Sequence, residues 1–179
     1  MPFDAYLKKG LLKQQRIHFK QIEKQIVRAE KDLKTAAKVL NDDTEWGATI
    51  AYHAMLRAGR AFLFSKGYLP ADGAQHRTVV ELTHELLGKD YSLLVNKFEK
   101  LRRRRNVFFY ESDPFGTSTE AENAIKTASE LIHVIEESIR KENPQLHQRE
   151  IFWGNYFTGS FTRLRPKRHQ YHSRPQSQV

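Results

Sequence analysis

"EWGATIAYHAMLRAGRAFLFSK", residues 45–66, decides the fold. Trp46, Ile50, Tyr52, Met55, Leu56, Phe62, Leu63 and Phe64 fall on most sides of a helix drawn through it. A row of alanines at 51, 54, 58 and 61 leaves room for another backbone to approach. A helix that is apolar nearly all round must be surrounded by others, so this stretch predicts the central helix of an all-α bundle. Gly67 follows as a C-cap, and the Pro/Gly stretch "KGYLPADGAQ" ends the helix.

Helical periodicity extends to both sides. Upstream, Phe19, Ile22, Ile26, Ala29, Leu33, Ala36 and Leu40 recur at spacings of three and four, with Lys20, Lys24, Arg28 and Lys31 on the other face. "NDD" breaks that helix. Downstream, "HRTVVELTHELLG" makes a shorter helix that stops at Gly88. Asp90 can cap a fourth helix with a core stripe of Tyr91, Leu94, Phe98 and Leu101. After "SDPFG", Thr117 and Glu120 form a capping box for a fifth. That helix buries Ala121, Ala124, Ile125, Ala128, Leu131, Ile132, Ile135 and Ile139 and ends near "KENP". No strand alternation is evident before residue 145. The fold class is therefore an antiparallel up-and-down bundle of four to five helices.

This divides the chain into an N-terminal extension (1–16), the bundle (17–142), an aromatic C-terminal segment (143–162) and a basic tail (163–179). The aromatic segment, "REIFWGNYFTGSF", is expected to pack on the bundle or on a partner. The tail is expected to be disordered.

Composition bounds the function. The chain has 179 residues, 39% hydrophobic and 28% charged, and a mean hydropathy of -0.68, which suits slim amphipathic elements with wide wet faces. The absence of cysteine excludes disulfides and thiolate zinc sites. The N-terminus lacks a signal peptide, and no segment approaches a membrane span, so a cytoplasmic location and no membrane contact are expected. The net charge of +9 is uneven. Arg163, Arg165, Lys167, Arg168 and Arg174 sit in a tail without acidic residues, and four more arginines run from 102 to 105. Such a balance favours polyanion partners.

"KLRRRRNVFFYESD", residues 100–113, carries that second run. At 100° per residue the four arginines cannot share a face. Arg103 and Arg104 point outward, while Arg102, Asn106 and Tyr110 align along one flank. The stripe of Leu94, Phe98 and Leu101 continues to position 105, so Arg105 stands where the pattern calls for a core residue. A charge there is costly unless it is paired or lies at an interface. With the alanine row, this points to a symmetric homodimer.

Taken together, "AYHAMLRAGRAFLFSKGYLP", "HRTVVELTHELLG", "FEKLRRRRNVFFYE" and "STEAENAIKTASELIHVIEESI" resemble the HEPN family over roughly residues 20–141. The chain is most similar to small stand-alone prokaryotic HEPN proteins, which are often paired with nucleotidyltransferases. The resemblance implies a metal-independent endoribonuclease whose Arg, followed by a polar residue and then a His further along the helix, lies in a cleft shared by two protomers. Matched by position, the Arg is Arg105 and the polar residue Asn106, and Tyr110 takes the place of the His. The catalytic set it implies is Arg105, Asn106 and Tyr110, and the phosphate- or RNA-binding set is Arg102, Arg105 and Asn106. No metal and no cofactor is implied.

Tyr110 departs from the pattern in a way that matters. Cleavage by 2′-hydroxyl attack needs a group that exchanges protons near neutral pH, and a phenol with a reference pKa of about 10 is a poor base. Arg102, Arg105 and Asn106 still suit phosphate. Three readings follow. The chain is a ribonuclease-like HEPN protein of a toxin–antitoxin or defence system with altered activity, its partner a nucleotidyltransferase or an antitoxin; or a non-enzymatic module binding a nucleotide or a nucleotidyltransferase; or a helical scaffold in which Arg105 only makes ion pairs. His53, Arg57 and Arg60 share a face of the central helix, where a packed histidine is the expected reading. His147, His169 and His172 lie without an organised metal-ligand set.

Overall fold

The computed structural model of the chain describes residues 3–71, 75–110 and 117–143, and of 105–110 the backbone alone. In chain order come a five-residue helix α1 (Asp4–Lys8), strand β1 (Leu12–Gln14), helices α2 (Phe19–Val39) and α3 (Thr44–Ser65), strand β2 (Tyr68–Pro70), and helices α4 (Gln75–Leu87), α5 (Ser92–Tyr110) and α6 (Ser118–Glu142). The all-α bundle expected from the periodicity is present. The aromatic segment, the basic tail and the "SDPFG" loop lie outside the described residues.

α3 is the centre, packed against α2, α4, α5 and α6. The Asp43 side chain caps it by accepting from the Trp46 backbone N–H at 2.9 Å, so the "NDD" that breaks one helix also starts the next. At the other end Gly67, the residue after the Lys66 C-cap, takes a φ of 82°, the left-handed conformation that ends the helix. Ala51, Ala54, Ala58 and Ala61 are fully buried. The alanine row thus seats neighbouring helices of the same chain and is used up within it; it offers nothing to a second copy. The core around it includes Tyr52, Met55, Phe62, Phe98, Leu131, Ile132 and Ile135.

Three local readings change. β1 and β2 form a two-stranded antiparallel sheet, with Leu12 opposite Pro70 and Gln14 opposite Tyr68. Strands of three residues are too short to show alternation, and their pairing is non-local. Through this sheet the N-terminal residues join the bundle: Phe3 and Leu12 are buried, and the Phe3 ring stacks on Tyr68 with centroids 4.3 Å apart. Asp90 and Tyr91 fall in a 3-10 turn, Lys89–Tyr91, ahead of α5. The tighter turn shifts the helical phase, leaving Tyr91 exposed and bringing Val95 into the core beside Leu94 and Phe98. At the start of α6, Thr117 makes no side-chain cap bond. Only the reciprocal half of the capping box is present, from the Thr117 backbone to the Glu120 carboxylate.

Candidate functional site

The arginine run occupies the second half of α5, and the helix divides it as its phase demands. Arg103 is 75% exposed and donates through Nε to Glu99 Oε1 at 2.7 Å. Arg102 is only 18% exposed and grips the same carboxylate at two points, Nε to Oε2 at 2.6 Å and Nη2 to Oε1 at 2.9 Å. Arg104 differs from the solvated side chain expected of it. It reaches α6 and donates through Nη1 to Glu120 Oε1 at 2.7 Å, an ion pair between helices.

These contacts fix protonation states. The hydrogen bond from Arg102 pulls the Glu99 carboxyl down to about 2; burial opposes the shift and Arg103 adds to it. Glu99 is therefore an anion across the physiological range. Arg102 is held above its ordinary value, first by its bond to Glu99 and further by the nearby Tyr52 phenol and Glu81. Glu120 is lowered chiefly by its hydrogen bond from Arg104.

Beside Arg102 lies a polar cluster built by three helices. Tyr52 of α3 is 1% exposed, and its hydroxyl meets Nδ1 of the half-buried His76, in the first turn of α4, at 2.7 Å. The two rings stack with centroids 5.9 Å apart and an interplanar angle of 15°. Phe98 of α5 also packs against the Tyr52 ring, with centroids 5.8 Å apart. His53 stands edge-on to His76 at 6.2 Å. A buried tyrosine brings a hydroxyl that needs a partner, and here that partner is an imidazole at the domain surface.

The α3 stripe of His53, Arg57 and Arg60 is split among neighbours. Arg57 donates to Asp32 of α2 at 2.9 Å, while Arg28 holds the other oxygen of that carboxylate at 2.8 Å. Arg60 bonds Gln75 at the start of α4. His53 packs in the aromatic cluster, as read from the sequence. Further along α4, Glu81 accepts from the Tyr6 hydroxyl at 3.0 Å; burial, then that bond, raise the Tyr6 phenol to about 12.

Arg102 lies one turn along α5 from Phe98 and within electrostatic range of the Tyr52 phenol. Arg105, Asn106 and Tyr110 lie on the same uninterrupted helix, so their spacing from Arg102 is helical, and their side chains lie outside the described residues. His76 was missed by sequence reasoning. Its signal was indirect: a tyrosine in the middle of the most apolar helix had to bond something, and no local pattern says what.

Among models of known protein families, that of the HEPN domain matches residues 22–138. No curated protein matches the chain. The matched span takes in α3, α4 and α5, the three helices that build the cluster around Arg102, together with nearly all of α2 and α6. With more than half of its length so matched, the chain belongs to the HEPN family.

Proposed function

We propose that the chain acts on RNA as a ribonuclease-like HEPN protein of a toxin–antitoxin or defence system, its cleavage altered because Tyr110 stands at the place of the motif histidine. The observation that carries this reading is Arg102, held half-sheltered on α5 within electrostatic range of the buried Tyr52 and its half-buried partner His76, inside the matched span. Glu99 pairs with Arg102 at two points. An RNA phosphate would exchange for that carboxylate, an anion for an anion with the same two-point geometry. Arg105 and Asn106 follow on the next turn and extend the phosphate track, and two copies of α5 face each other in a homodimer.

Slow, metal-independent cleavage of single-stranded RNA in the presence of a chelator is the expected activity. Tyr110→His supplies a proton-transfer group on α5 and raises the rate by about 10²-fold. RNA binding with no cleavage by either protein would instead favour the non-enzymatic module, which the phenol at position 110 already suits because it can hydrogen-bond a phosphate without serving as a base.

A further inference from the structure

We infer that His76, oriented by Tyr52, is the proton-transfer group of this site, supplied by α4 in place of a histidine on α5. The inference rests on the ribonuclease-like function proposed above.

Three contacts support it. The Tyr52 hydroxyl engages Nδ1 of His76 at 2.7 Å and the rings are nearly parallel, so the imidazole is held in one orientation. With Nδ1 so engaged, Nε2 is the nitrogen that exchanges protons. Tyr52 is itself wedged against Phe98, and Arg102 lies one turn further along α5 and within electrostatic range of the phenol. The residue that aims the histidine is therefore anchored on the helix that carries the arginines.

The pair also has the right chemistry. A hydroxyl both donates and accepts, so Tyr52 can donate to Nδ1 when Nε2 carries the only ring proton and accept from Nδ1–H when the proton on Nε2 has left or when the ring is cationic. The ring changes protonation state without turning. Among the described residues, the charged and titratable groups on the elements around it include Tyr52, His53 and Arg60 of α3, Arg77 and Glu81 of α4, and Arg102 with its partner Glu99 of α5.

In the step itself, Nε2 takes the proton of the RNA 2′-hydroxyl. The 2′-oxygen bonds to phosphorus and the P–O5′ bond breaks. The leaving 5′-oxygen takes a proton from water, and the imidazolium proton makes good that loss, so the products are a 2′,3′-cyclic phosphate and a 5′-hydroxyl with no net change in protons. Arg102 balances charge on the phosphoryl oxygens.

The test uses the full chain and a single-stranded RNA oligonucleotide with chelator present, measuring binding and cleavage side by side. His76→Gln should cut the cleavage rate by about 10²-fold or more while the Kd for RNA stays within about threefold. Tyr52→Phe keeps the buried ring, removes the hydroxyl, and should shift the pH–rate profile as well as lower the rate. In histidine-detected NMR, the His76 ring signals should move when a non-cleavable 2′-O-methyl RNA is added. Wild-type protein that binds and cleaves RNA, with His76→Gln cleaving equally well, overturns this inference and leaves the proposed function standing. Binding without any cleavage also overturns the inference, in favour of the partner module. Failure to bind RNA at all overturns the proposed function, and the inference with it.

Discussion

Arg102 and Glu99 are joined at two points within one turn of α5, at 2.6 and 2.9 Å, so the best sheltered of the three arginines whose side chains are described, 102–104, is paired within its own helix. Glu99 therefore competes with any phosphate for that guanidinium. Glu99→Gln should tighten RNA binding by up to about fivefold, the scale of a partly exposed ion pair. Fluorescence anisotropy with a labelled oligonucleotide checks this. An unchanged or weaker affinity would mean that Arg102 is not part of the binding surface.

The same carboxylate makes the fold sensitive to acid. Its folded pKa of about 2 lies below the ordinary 4.5. A depressed carboxylate contributes fully above its unfolded value, and the contribution fades as pH falls through that value toward the folded one. The stability gap between wild type and Glu99→Gln should thus be widest above pH 5 and close between about 4.5 and 2. Allowing for solvent screening, its full size is about 1–2 kcal/mol. Urea unfolding across a pH series measures it. A gap that does not vary with pH would contradict the assignment.

Gly59 sets the spacing of α3 and α4. A Cβ there would stand 2.6 Å from Val79 Cγ1 and 3.0 Å from Thr83 Oγ1. Val79 is fully buried and β-branched, so it has little freedom to withdraw. Gly→Ala in a helix gains about 1 kcal/mol of propensity, whereas overpacking a core costs about 1–3. Gly59→Ala should therefore lower the Tm and, by pushing α4 outward, weaken the Tyr52–His76 contact. A Tm equal to or above that of the wild type would show that the interface yields.

The fold was legible wherever apolar residues repeat over several turns. Residues 19–40, 45–66 and 117–142 carry that pattern and form α2, α3 and α6. The β1–β2 pair left no such trace, because three-residue strands joined across more than fifty residues of chain have no period to read. The site was legible only along α5. Its spacing placed Arg103 outward, but whether Arg104 meets solvent or Glu120 depends on a residue of another helix. The Tyr52–His76 bond is of the same kind, with nothing in "AYHAM" marking which imidazole the tyrosine reaches.

Assembly is a separate question, now that the alanine row is buried inside one chain. A shared cleft requires a homodimer, so light scattering at micromolar concentration should give twice the 21.0 kDa chain mass. A monomer at every accessible concentration would rule out a cleft built from two copies of α5.

The arginines can bind RNA by position or by bulk charge. RNA affinity of Arg105→Ala and Arg103→Ala, compared at one salt concentration, tests this most directly, because each variant removes a single charge from the same helix. Binding by position predicts a loss of about 10-fold or more for Arg105→Ala and about twofold for Arg103→Ala, with removal of the residues after Arg163 reducing only the salt-dependent, non-specific component. Equal losses for the two single variants would contradict the account and leave only a general positive field.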